Sequence, residues 1–458
     1  MSDIPGKVHF IGIGGVGMSG LAGVLLELGY DVRGSDLAGT PVTERLQSRG
    51  AAVQLGHGRG NIRDAELVVV STAIDSANPE LLEAGEKGVP VIHRADLLGL
   101  LMNRQKGLAV AGAHGKTTTT AMLALVLEKC RLEPTILIGG ELTDIGGNAK
   151  LGRGEYLVAE ADESDKSFLK LNPYLAVVTN IEDDHLDHYG SVEQIVHAFR
   201  QFLGRVDPGG AAVLCFDDAD VRAVAPGCRA GVLSYALNHP EADYVMSDIG
   251  LANNCSGGEV FYRGQHLGRL ELAVPGRHNL ANALAVVAAG RFIGLSFPEM
   301  ARALRQFKGT GRRYQIIGSA GGVTVVDDYA HHPTEIAATL QAARQFHAGR
   351  VIAVFQPHRY SRTSLLHHRF GACFGNCDLL IINDIYGAGE NPVNGVSARL
   401  IVDAVAAHDG ERPLYLGSRE QTVDYLAANL RPGDLVLTMG AGDVWKTGPA
   451  LLERLKES

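Results

Sequence analysis

The sequence predicts an α/β protein of three domains, and three observations support this fold class. The chain has 458 residues, which is too long for one ordinary core and corresponds to about three domains at roughly 150 residues each. Strand-like apolar runs alternate with helical stretches through most of its length, as expected for parallel sheets covered by helices. Two of these runs end in closely spaced glycines, a turn type that binds phosphate groups at the start of a helix.

The strand-like runs are continuously apolar rather than alternating, which is typical of strands buried on both faces. In chain order they read KVHFIGIG, ELVVVSTA, GLAVAGA, YLVAEA, LAVVTN, VTVVDDYA, VIAVFQPH, LLIIND and DLVLTMGAG. Residues 254–276 instead predict a small antiparallel region, because polar turns separate their short strands. We place the domain boundaries where one α/β series ends and another begins, which gives domains of residues 1–105, 106–310 and 311–458.

Composition excludes several classes of protein. A net charge of -9 disfavours general nucleic-acid binding, which depends on clustered Lys and Arg. No run of about 18 apolar residues and no secretory leader occurs, so we expect a cytoplasmic protein without membrane insertion. The six cysteines form no CxxC pair, which favours reduced thiols over disulfides or a zinc site. The sequence leaves the oligomeric state open.

A shortened phosphate loop follows the run GLAVAGA. It consists of Gly112, Ala113, His114, Gly115, Lys116 and Thr117, with Thr118 directly behind it. Glycines let backbone N–H groups approach phosphate oxygens, and the Lys116 ammonium can offset charge on a transferred phosphoryl group. Thr117 is placed to bind Mg²⁺ through its hydroxyl. The alternative is a glycine-containing turn with an exposed lysine.

Two later strand ends carry polar groups. Glu160 ends the run YLVAEA, and LAVVTN is followed by Asn180, Asp183, Asp184 and His185. Because ligands gather outside the carboxyl ends of strands in open α/β sheets, we expect these groups beside Lys116. Mg²⁺ prefers oxygen ligands, so Glu160 is a natural candidate and His185 a less expected one.

Four further acidic residues follow these strand ends. They are Asp162, Glu163, Asp165 and Asp187. Taken one by one, we interpret them as parts of a solvated acidic turn.

The first glycine loop has the pattern GxGxxG after a strand. It runs Gly12, Ile13, Gly14, Gly15, Val16 and Gly17, and Asp36 follows 24 residues after Gly12. This pattern alone is also compatible with a dinucleotide-binding domain, so an NAD-dependent oxidoreductase is the rival hypothesis. No second hydride-transfer motif accompanies it.

Several ordered motifs resemble the Mur ligases, the ATP-dependent amide-forming enzymes of peptidoglycan synthesis, across essentially the whole chain. They are AGAHGKTTTT, AEADESDKSFL, TNIEDDHLDHYG, PGRHNLANALA and DDYAHHPTE. GIGGVGMSGLA, VIHRADLL and FQPHRYSRT are most similar to the alanine-adding branch of the family. The resemblance implies a Rossmann-like UDP-binding domain, a central P-loop-type ATPase domain and a C-terminal Rossmann-like α/β domain.

The resemblance also implies the reaction. Its substrates would be ATP, UDP-N-acetylmuramate and L-alanine, joined through an acyl phosphate, with Mg²⁺ as cofactor. A related tripeptide-recycling ligase is the nearest alternative. Deprotonation of the incoming amine stays unassigned among His185, His331 and His358, whose ordinary chemistry is near neutrality.

The resemblance assigns residues to four sites. Lys116 and His185 are the implied catalytic residues, and Thr117, Glu160 and His185 the implied metal ligands. ATP is assigned to the central loop with Thr118, His278, Asn279 and Arg312, where Asn279 is alternatively a helix cap. The UDP-sugar is assigned to Gly14, Gly15, Val16, Gly17, Met18, Asp36, Ser71, Thr72 and Ala73, with His57 and Arg94 as weaker candidates. The L-alanine carboxylate is assigned to His358, Arg359 and Arg362.

Overall fold

The computed structural model of the protein describes residues 4–142, 147–252, 255–410 and 412–457. They divide into two compact units. The first contains the chain up to Asp248 together with Glu259–Leu270 and Ala281–Phe307. The second contains Ile249–Gly258, Glu271–Leu280 and the chain from Lys308 onward.

The first sheet belongs to the first unit. Its strands are β1 (Lys7–Ile11), β2 (Asp31–Asp36), β3 (Ala52–Leu55), β4 (Leu67–Val70) and β5 (Val91–His93), with helices α1 (Val16–Glu27), α2 (Pro41–Ser48), α3 (Pro79–Lys87) and α4 (Arg94–Met102). All strand pairs are parallel, in the order β3-β2-β1-β4-β5. The strand order reverses between β1 and β4, where sheets of this kind bind ligands.

The second sheet has ten strands. They are β6 (Lys106–Ala111), β7 (Thr135–Leu142), β8 (Gly147–Lys150), β9 (Tyr156–Glu160), β10 (Leu175–Val178), β11 (Ala211–Cys215), β12 (Gly231–Ala236), β13 (Tyr244–Ala252), β14 (Cys255–Tyr262) and β15 (Gln265–Leu272). The accompanying helices are α5 (Lys116–Lys129), α6 (Leu186–Tyr189), α7 (Val192–Leu203), α8 (Ala219–Val224), α9 (Arg277–Phe292) and α10 (Phe297–Leu304). The strand order is β15-β14-β13-β12-β11-β10-β6-β9-β7-β8.

The middle of the second sheet decides where its polar strand ends meet. β6 lies between β9 and β10 and is parallel to both, so the three carboxyl ends share one edge. The side chains of β10 and β11 are buried along the whole of each strand. β10 therefore has the two-sided burial that the apolar run LAVVTN predicts. The predicted region of short strands corresponds to β14 and β15, and residue 254 at its start lies outside the described residues.

The third sheet belongs to the second unit. Its strands are β16 (Gln315–Ala320), β17 (Val323–Asp328), β18 (Val351–Phe355), β19 (Leu379–Ile382), β20 (Leu414–Tyr415) and β21 (Leu435–Met439), with helices α11 (Pro333–Phe346), α12 (Tyr360–Phe370), α13 (Arg399–Asp409), α14 (Arg419–Asn429) and α15 (Thr447–Glu457). Their order is β16-β17-β21-β18-β19-β20, antiparallel only between β16 and β17.

The predicted α/β class with three helix-covered sheets is confirmed. The boundaries at residues 105 and 310 stay predictions, since the compact units group the first two sheets together. Within the described residues, no helix is both long enough and apolar enough to cross a membrane.

Candidate active site

The first glycine loop is held by β2. The backbone N–H groups of Gly12 and Ile13 both donate to the carbonyl oxygen of Ser35, at 2.8 and 3.0 Å. Gly14 donates its N–H to the Asp36 carboxylate at 2.8 Å. Helix α1 then begins after Gly15 without a side-chain cap. Its first N–H groups are therefore suited to an anionic ligand, as the sequence predicts.

Asp36 acts here as a support for the loop. A Cβ atom at Gly14 would lie 2.9 Å from the Asp36 carboxylate and 3.0 Å from the Thr43 methyl group, so the contact depends on glycine. The assignment of Asp36 to the UDP-sugar stays a prediction, because the described contact is to the loop itself.

The central phosphate loop is held by the end of β10. The Asn180 side chain accepts the N–H of His114 at 2.8 Å and donates to its carbonyl at 3.0 Å, and the Thr179 hydroxyl donates to the same carbonyl at 2.6 Å. Gly112 has φ +137°, and a Cβ there would overlap the Thr179 hydroxyl. Asn180, expected near Lys116 from its strand end, is therefore a support of the loop.

Lys116 makes three polar contacts at the start of α5. Its ammonium lies 2.5 Å from the Gly112 carbonyl, 3.1 Å from the Ala113 carbonyl and 2.7 Å from the Glu163 carboxylate. Burial by itself lowers the pKa of Lys116, but the charge and hydrogen bond of Glu163, together with the charges of Asp162 and Glu160, outweigh it and raise the pKa. Lys116 is therefore a fixed positive charge at the loop, as a phosphate-binding lysine requires.

The interpretation of the acidic residues as a solvated turn is wrong for Glu163 and Asp165. Their side chains are 4% and 8% exposed. Burial raises the pKa of Glu163, Lys116 opposes the rise and Asp162 adds to it. The sequence does show that Glu163 lies three residues beyond the end of a buried strand, which places it near the site. Its pairing with Lys116, however, depends on tertiary structure. The side chain of Asp187 lies outside the described residues.

Arg94 connects the two sheets of the first unit. It begins α4, lies beside Gly17 and donates to the Asp162 carboxylate at 2.6 Å. Burial raises the pKa of Asp162, but the charges of Arg94 and Lys116 and the hydrogen bonds from Ser164 together outweigh it and lower the pKa to about 2. Arg94, a weaker candidate from sequence, is thus placed where the first glycine loop meets the second sheet.

The first glycine loop and Lys116 of the central loop line one cavity of about 440 Å³. From the first sheet it is lined by Gly15, Val16, Gly17, Met18, Ser71, Thr72 and Arg94, and from the second by Lys116, Leu137, Ile138, Gly139, Asn148, Glu160 and Asp162, among others. Asn148, which the sequence analysis missed, donates its side-chain amide to the Val16 carbonyl at 2.7 Å. A ligand bound at the first loop can therefore reach Lys116 and Glu160 without leaving the cavity.

The donor set near Lys116 is chemically suited to Mg²⁺. Glu160 supplies a carboxylate whose Oε1 accepts the Gly139 N–H at 2.8 Å, and Thr117 supplies a hydroxyl in the first turn of α5. His185 caps α6 with φ +59°, and its Nε2 lies 3.8 Å from the Glu163 carboxylate. Carboxylate and hydroxyl oxygens are ordinary Mg²⁺ ligands. Coordination by these residues stays a prediction.

Three residues assigned to ATP, His278, Asn279 and Arg312, lie in the second unit. Asn279 donates to the Pro275 carbonyl at 2.6 Å, which supports the alternative of a structural role. His278 precedes Asn279 in the first turn of α9 and is exposed.

Arg312 lies at the ends of β17 and β21. Its guanidinium contacts the Asp327 carboxylate at 3.0 Å and the carbonyls of Gly440 and Gly442 at 2.6 and 3.3 Å. It therefore ties the two strand ends together, and its contact with ATP stays a prediction.

The proposed amino-acid site forms at the end of β18. The His358 ring stacks on Tyr386 with centroids 5.7 Å apart and lies 6.0 Å from the His331 ring. Arg359 has φ +68° at the start of α12, an uncommon conformation for a residue with a side chain. His331 follows β17, and His358 and Arg359 follow β18, so the three residues lie at the same edge of the third sheet.

Three family models match the chain. They are the Mur ligase family catalytic domain over residues 7–106, the Mur ligase middle domain over 110–290 and the Mur ligase glutamate ligase domain over 312–442. The chain is 59% identical over 451 residues to the UDP-N-acetylmuramate–L-alanine ligase of Pelotomaculum thermopropionicum, covering 98% of both chains. It is 55% identical to the ligase of the same name from Desulforamulus reducens, also over 98% of both.

A solved structure extends the similarity to three dimensions. The crystal structure of the UDP-N-acetylmuramate–alanine ligase of Thermotoga maritima superposes with a TM-score of 0.84 at 29% identity, covering 98% of this chain and 99% of that one. The three family models, together with 59% identity to a relative over 98% of both chains, show that the chain belongs to the Mur ligase family.

Proposed function

We propose that the protein joins L-alanine to UDP-N-acetylmuramate with ATP, as the names of its relatives describe for those proteins. One observation carries the proposal, which is the cavity that the first glycine loop shares with Lys116 and Glu160. A nucleotide sugar whose diphosphate lies on the first loop extends toward the second, where ATP would present its γ-phosphate.

The first chemical step transfers this phosphoryl group. The carboxylate of the sugar's lactyl group attacks the γ-phosphorus, which gives an acyl phosphate and ADP. Lys116 is already held as a cation beside the loop, so its charge is in place to offset charge on the transferred group. Arg94, between the first loop and Asp162, is placed to orient the sugar substrate.

The second step forms the amide. The amine of L-alanine attacks the acyl phosphate carbonyl and expels phosphate. We place the L-alanine carboxylate at Arg359 and Arg362, because a guanidinium pairs with a carboxylate through two parallel hydrogen bonds.

Mg²⁺ is part of the proposal, with Thr117, Glu160 and His185 as its ligands. The ion would supply charge neutralisation on the phosphate oxygens. Glu160→Ala removes the carboxylate and should abolish turnover or raise the Mg²⁺ concentration required for it. An unchanged Mg²⁺ titration in this variant would rule out Glu160 as a ligand.

The experiment that tests the reaction is phosphate release from ATP in the presence of UDP-N-acetylmuramate, with L-alanine, a peptidoglycan tripeptide or other amino acids as acceptor partners. We expect phosphate release with L-alanine, and a product whose mass is that of UDP-N-acetylmuramate and L-alanine joined with loss of one water. Faster turnover with the tripeptide would favour the recycling ligase. Tight NAD binding without ligation would favour the oxidoreductase, which the family of the chain argues against.

The amino-acid site has its own prediction. Arg359→Lys keeps the charge but not the planar fork, so we expect a rise of about tenfold or more in the KM for L-alanine with little change in the KM for ATP. Acyl phosphate should still form without alanine. Arg369→Lys, an exposed arginine in the last turn of α12, is the matched control and should behave as the unaltered protein. An unchanged alanine dependence in Arg359→Lys would reject the assignment.

Cytoplasmic localisation and the domain boundaries at residues 105 and 310 complete the proposal. ATP and UDP-linked sugars are cytoplasmic metabolites, and cell fractionation would test the first point. Limited proteolysis with mass mapping of the fragments would test the second, and cuts placed well inside 1–105 or 311–458 would contradict these boundaries.

A further inference from the structure

A fully buried carboxylate lies behind the first glycine loop. Glu80, in the first turn of α3, is 0% exposed. It accepts hydrogen bonds from His9 Nε2 at 2.8 Å, Ser35 Oγ at 2.7 Å, Asn61 Nδ2 at 2.7 Å and the Gly58 N–H at 3.1 Å. Burial raises the pKa of Glu80, but these donors outweigh it and hold the pKa at about 2. Glu80 is therefore an ionised acceptor at neutral pH.

An ionised Glu80 determines which way the hydrogen bonds run to His57. A carboxylate cannot donate, so the Ser35 hydroxyl donates to Glu80 and its oxygen is left to accept. His57 Nδ1 lies 2.9 Å from that oxygen and so carries the proton. In the neutral ring the other nitrogen, Nε2, is then a hydrogen-bond acceptor.

The Nε2 atom of His57 is available to a ligand. No hydrogen bond of this atom to the protein is found among the described residues, and the atom is not fully enclosed. The side chain is 13% exposed. An acceptor in this position suits a hydroxyl group of a ligand.

Ser35 connects this histidine to the phosphate loop. Its carbonyl oxygen accepts the N–H groups of Gly12 and Ile13, while its hydroxyl bonds to Glu80 and His57. The next residue, Asp36, accepts the Gly14 N–H through its carboxylate and the Gly56 N–H through its carbonyl. The loop that carries His57 is thus tied to the same end of β2 as the phosphate loop.

The end of β2 is where a ribose lies when a pyrophosphate occupies the first loop of a sheet of this kind, and an acidic residue there usually binds the ribose hydroxyl. In this protein that acidic residue, Asp36, is engaged by Gly14. We propose that His57 Nε2 accepts a hydrogen bond from a ribose hydroxyl of the uridine diphosphate, and that Glu80 and Ser35 are positioning residues that fix the His57 tautomer. This inference rests on the proposed UDP-sugar substrate.

The test measures binding by calorimetry with UDP, 2′-deoxy-UDP and 3′-deoxy-UDP as probes, and ADP as the control ligand for the second sheet. The proteins are the unaltered chain, His57→Ala, Ser35→Ala, the double variant and Arg59→Gln. Arg59 is the matched control, since it lies two residues from His57 in the same loop and pairs with Glu86 in solvent.

We expect one deoxy probe to bind the unaltered protein about threefold to tenfold more weakly than UDP, the value of one neutral hydrogen bond. His57→Ala and Ser35→Ala should each weaken UDP binding by a similar factor and bind UDP and the deoxy probes equally well. The double variant should lose no more affinity for UDP than His57→Ala does, because Ser35 acts through His57. ADP binding should be unchanged throughout, and Arg59→Gln should match the unaltered protein.

Three results would overturn the inference. Equal binding of UDP and both deoxy probes by the unaltered protein would show that no ribose hydroxyl is recognised. If His57→Ala still bound UDP more tightly than a deoxy probe, another residue would make the ribose contact. A Ser35→Ala variant that weakens UDP and ADP equally would show disruption of the fold rather than positioning. Failure of the unaltered protein to bind UDP at all would instead refute the proposed function itself.

Discussion

At the scale of single residues, Lys116 shows how the fold prepares a charge. Its ammonium contacts two loop carbonyls and Glu163, so it is held in place by the chain itself. Removing one member of a buried charged pair usually costs several kcal/mol, on the order of 3–5, because the other charge stays buried. Here the cost is reduced, since burial raises the pKa of Glu163 to about 7 and lets it take up a proton.

We therefore predict that Lys116→Ala folds and binds UDP-N-acetylmuramate but loses turnover by a factor of about 10³ or more, as expected for a residue that stabilises the transferred charge. Lys129→Ala, at the exposed end of the same helix, is the control and should keep full activity. Phosphate release and calorimetry on both variants provide the measurement. Turnover near that of the unaltered protein would disprove the role of Lys116.

At the scale of elements, the two glycine loops follow β1 and β6 and are supported by different neighbours. The first depends on Ser35 and Asp36, and the second on Thr179 and Asn180. In both cases the supporting residues lie at the carboxyl end of a neighbouring parallel strand, β2 for the first loop and β10 for the second. Damage to one loop should therefore leave the other intact, even though the first loop and Lys116 line the same cavity.

Gly14→Leu tests this separation. A side chain at this position would lie 2.9 Å from the Asp36 carboxylate and would displace it, so we expect UDP-N-acetylmuramate binding to weaken at least tenfold. ATP binding should change less than twofold. Gly85→Ala in α3, where a Cβ meets nothing within 4 Å, is the matched glycine control. Equal losses for both nucleotides would indicate that the loops are not independent.

At the scale of the whole molecule, the two compact units can be followed separately. The single tryptophan, Trp445, belongs to the second unit, so its fluorescence reports on that unit. In the same unit, Asp328 is buried at the end of β17 and accepts the N–H groups of Tyr314 and Ala330. Burial raises its pKa to about 6, against the partial compensation of Arg313.

Ionisation of Asp328 destabilises the folded second unit. Between pH 4 and 6 the folded state keeps a proton on Asp328 that the unfolded state has lost, so the stability of the second unit falls as pH rises. With a folded pKa of about 6 and an ordinary value of 3.8, the loss is about 3 kcal/mol by pH 8. Asp328→Asn has no such titration.

Urea unfolding of both proteins, followed by Trp445 fluorescence at pH 4 and pH 8, provides the measurement. Asp328→Asn should be the less stable protein at pH 4, because an amide accepts only one of the two N–H groups. The difference should shift in favour of the variant by about 2 kcal/mol between pH 4 and pH 8, because pH 4 already lies just above the ordinary pKa of 3.8. A difference that is the same at both pH values would contradict the buried ionisation.

Several features follow from local sequence alone. The α/β class, the two glycine loops and the polar strand ends are set by short-range chemistry, such as apolar runs and the positive φ that Gly112 requires. Glu160 could be placed near Lys116 because adjacent parallel strands end at one edge. The family resemblance, confirmed by relatives over 98% of the chain, supplied the substrates.

Tertiary structure alone decided which polar residues face a ligand and which support the site. Glu163 reads as a solvated acid in sequence, yet folding places it against Lys116 across 47 positions of the chain. Asp36, Asn180 and Glu80 likewise bond to loops that are distant in sequence. The physical reason is that periodicity and motif spacing determine local conformation, whereas burial and hydrogen-bond partners are properties of the packed sheets, which bring together residues that no local pattern relates.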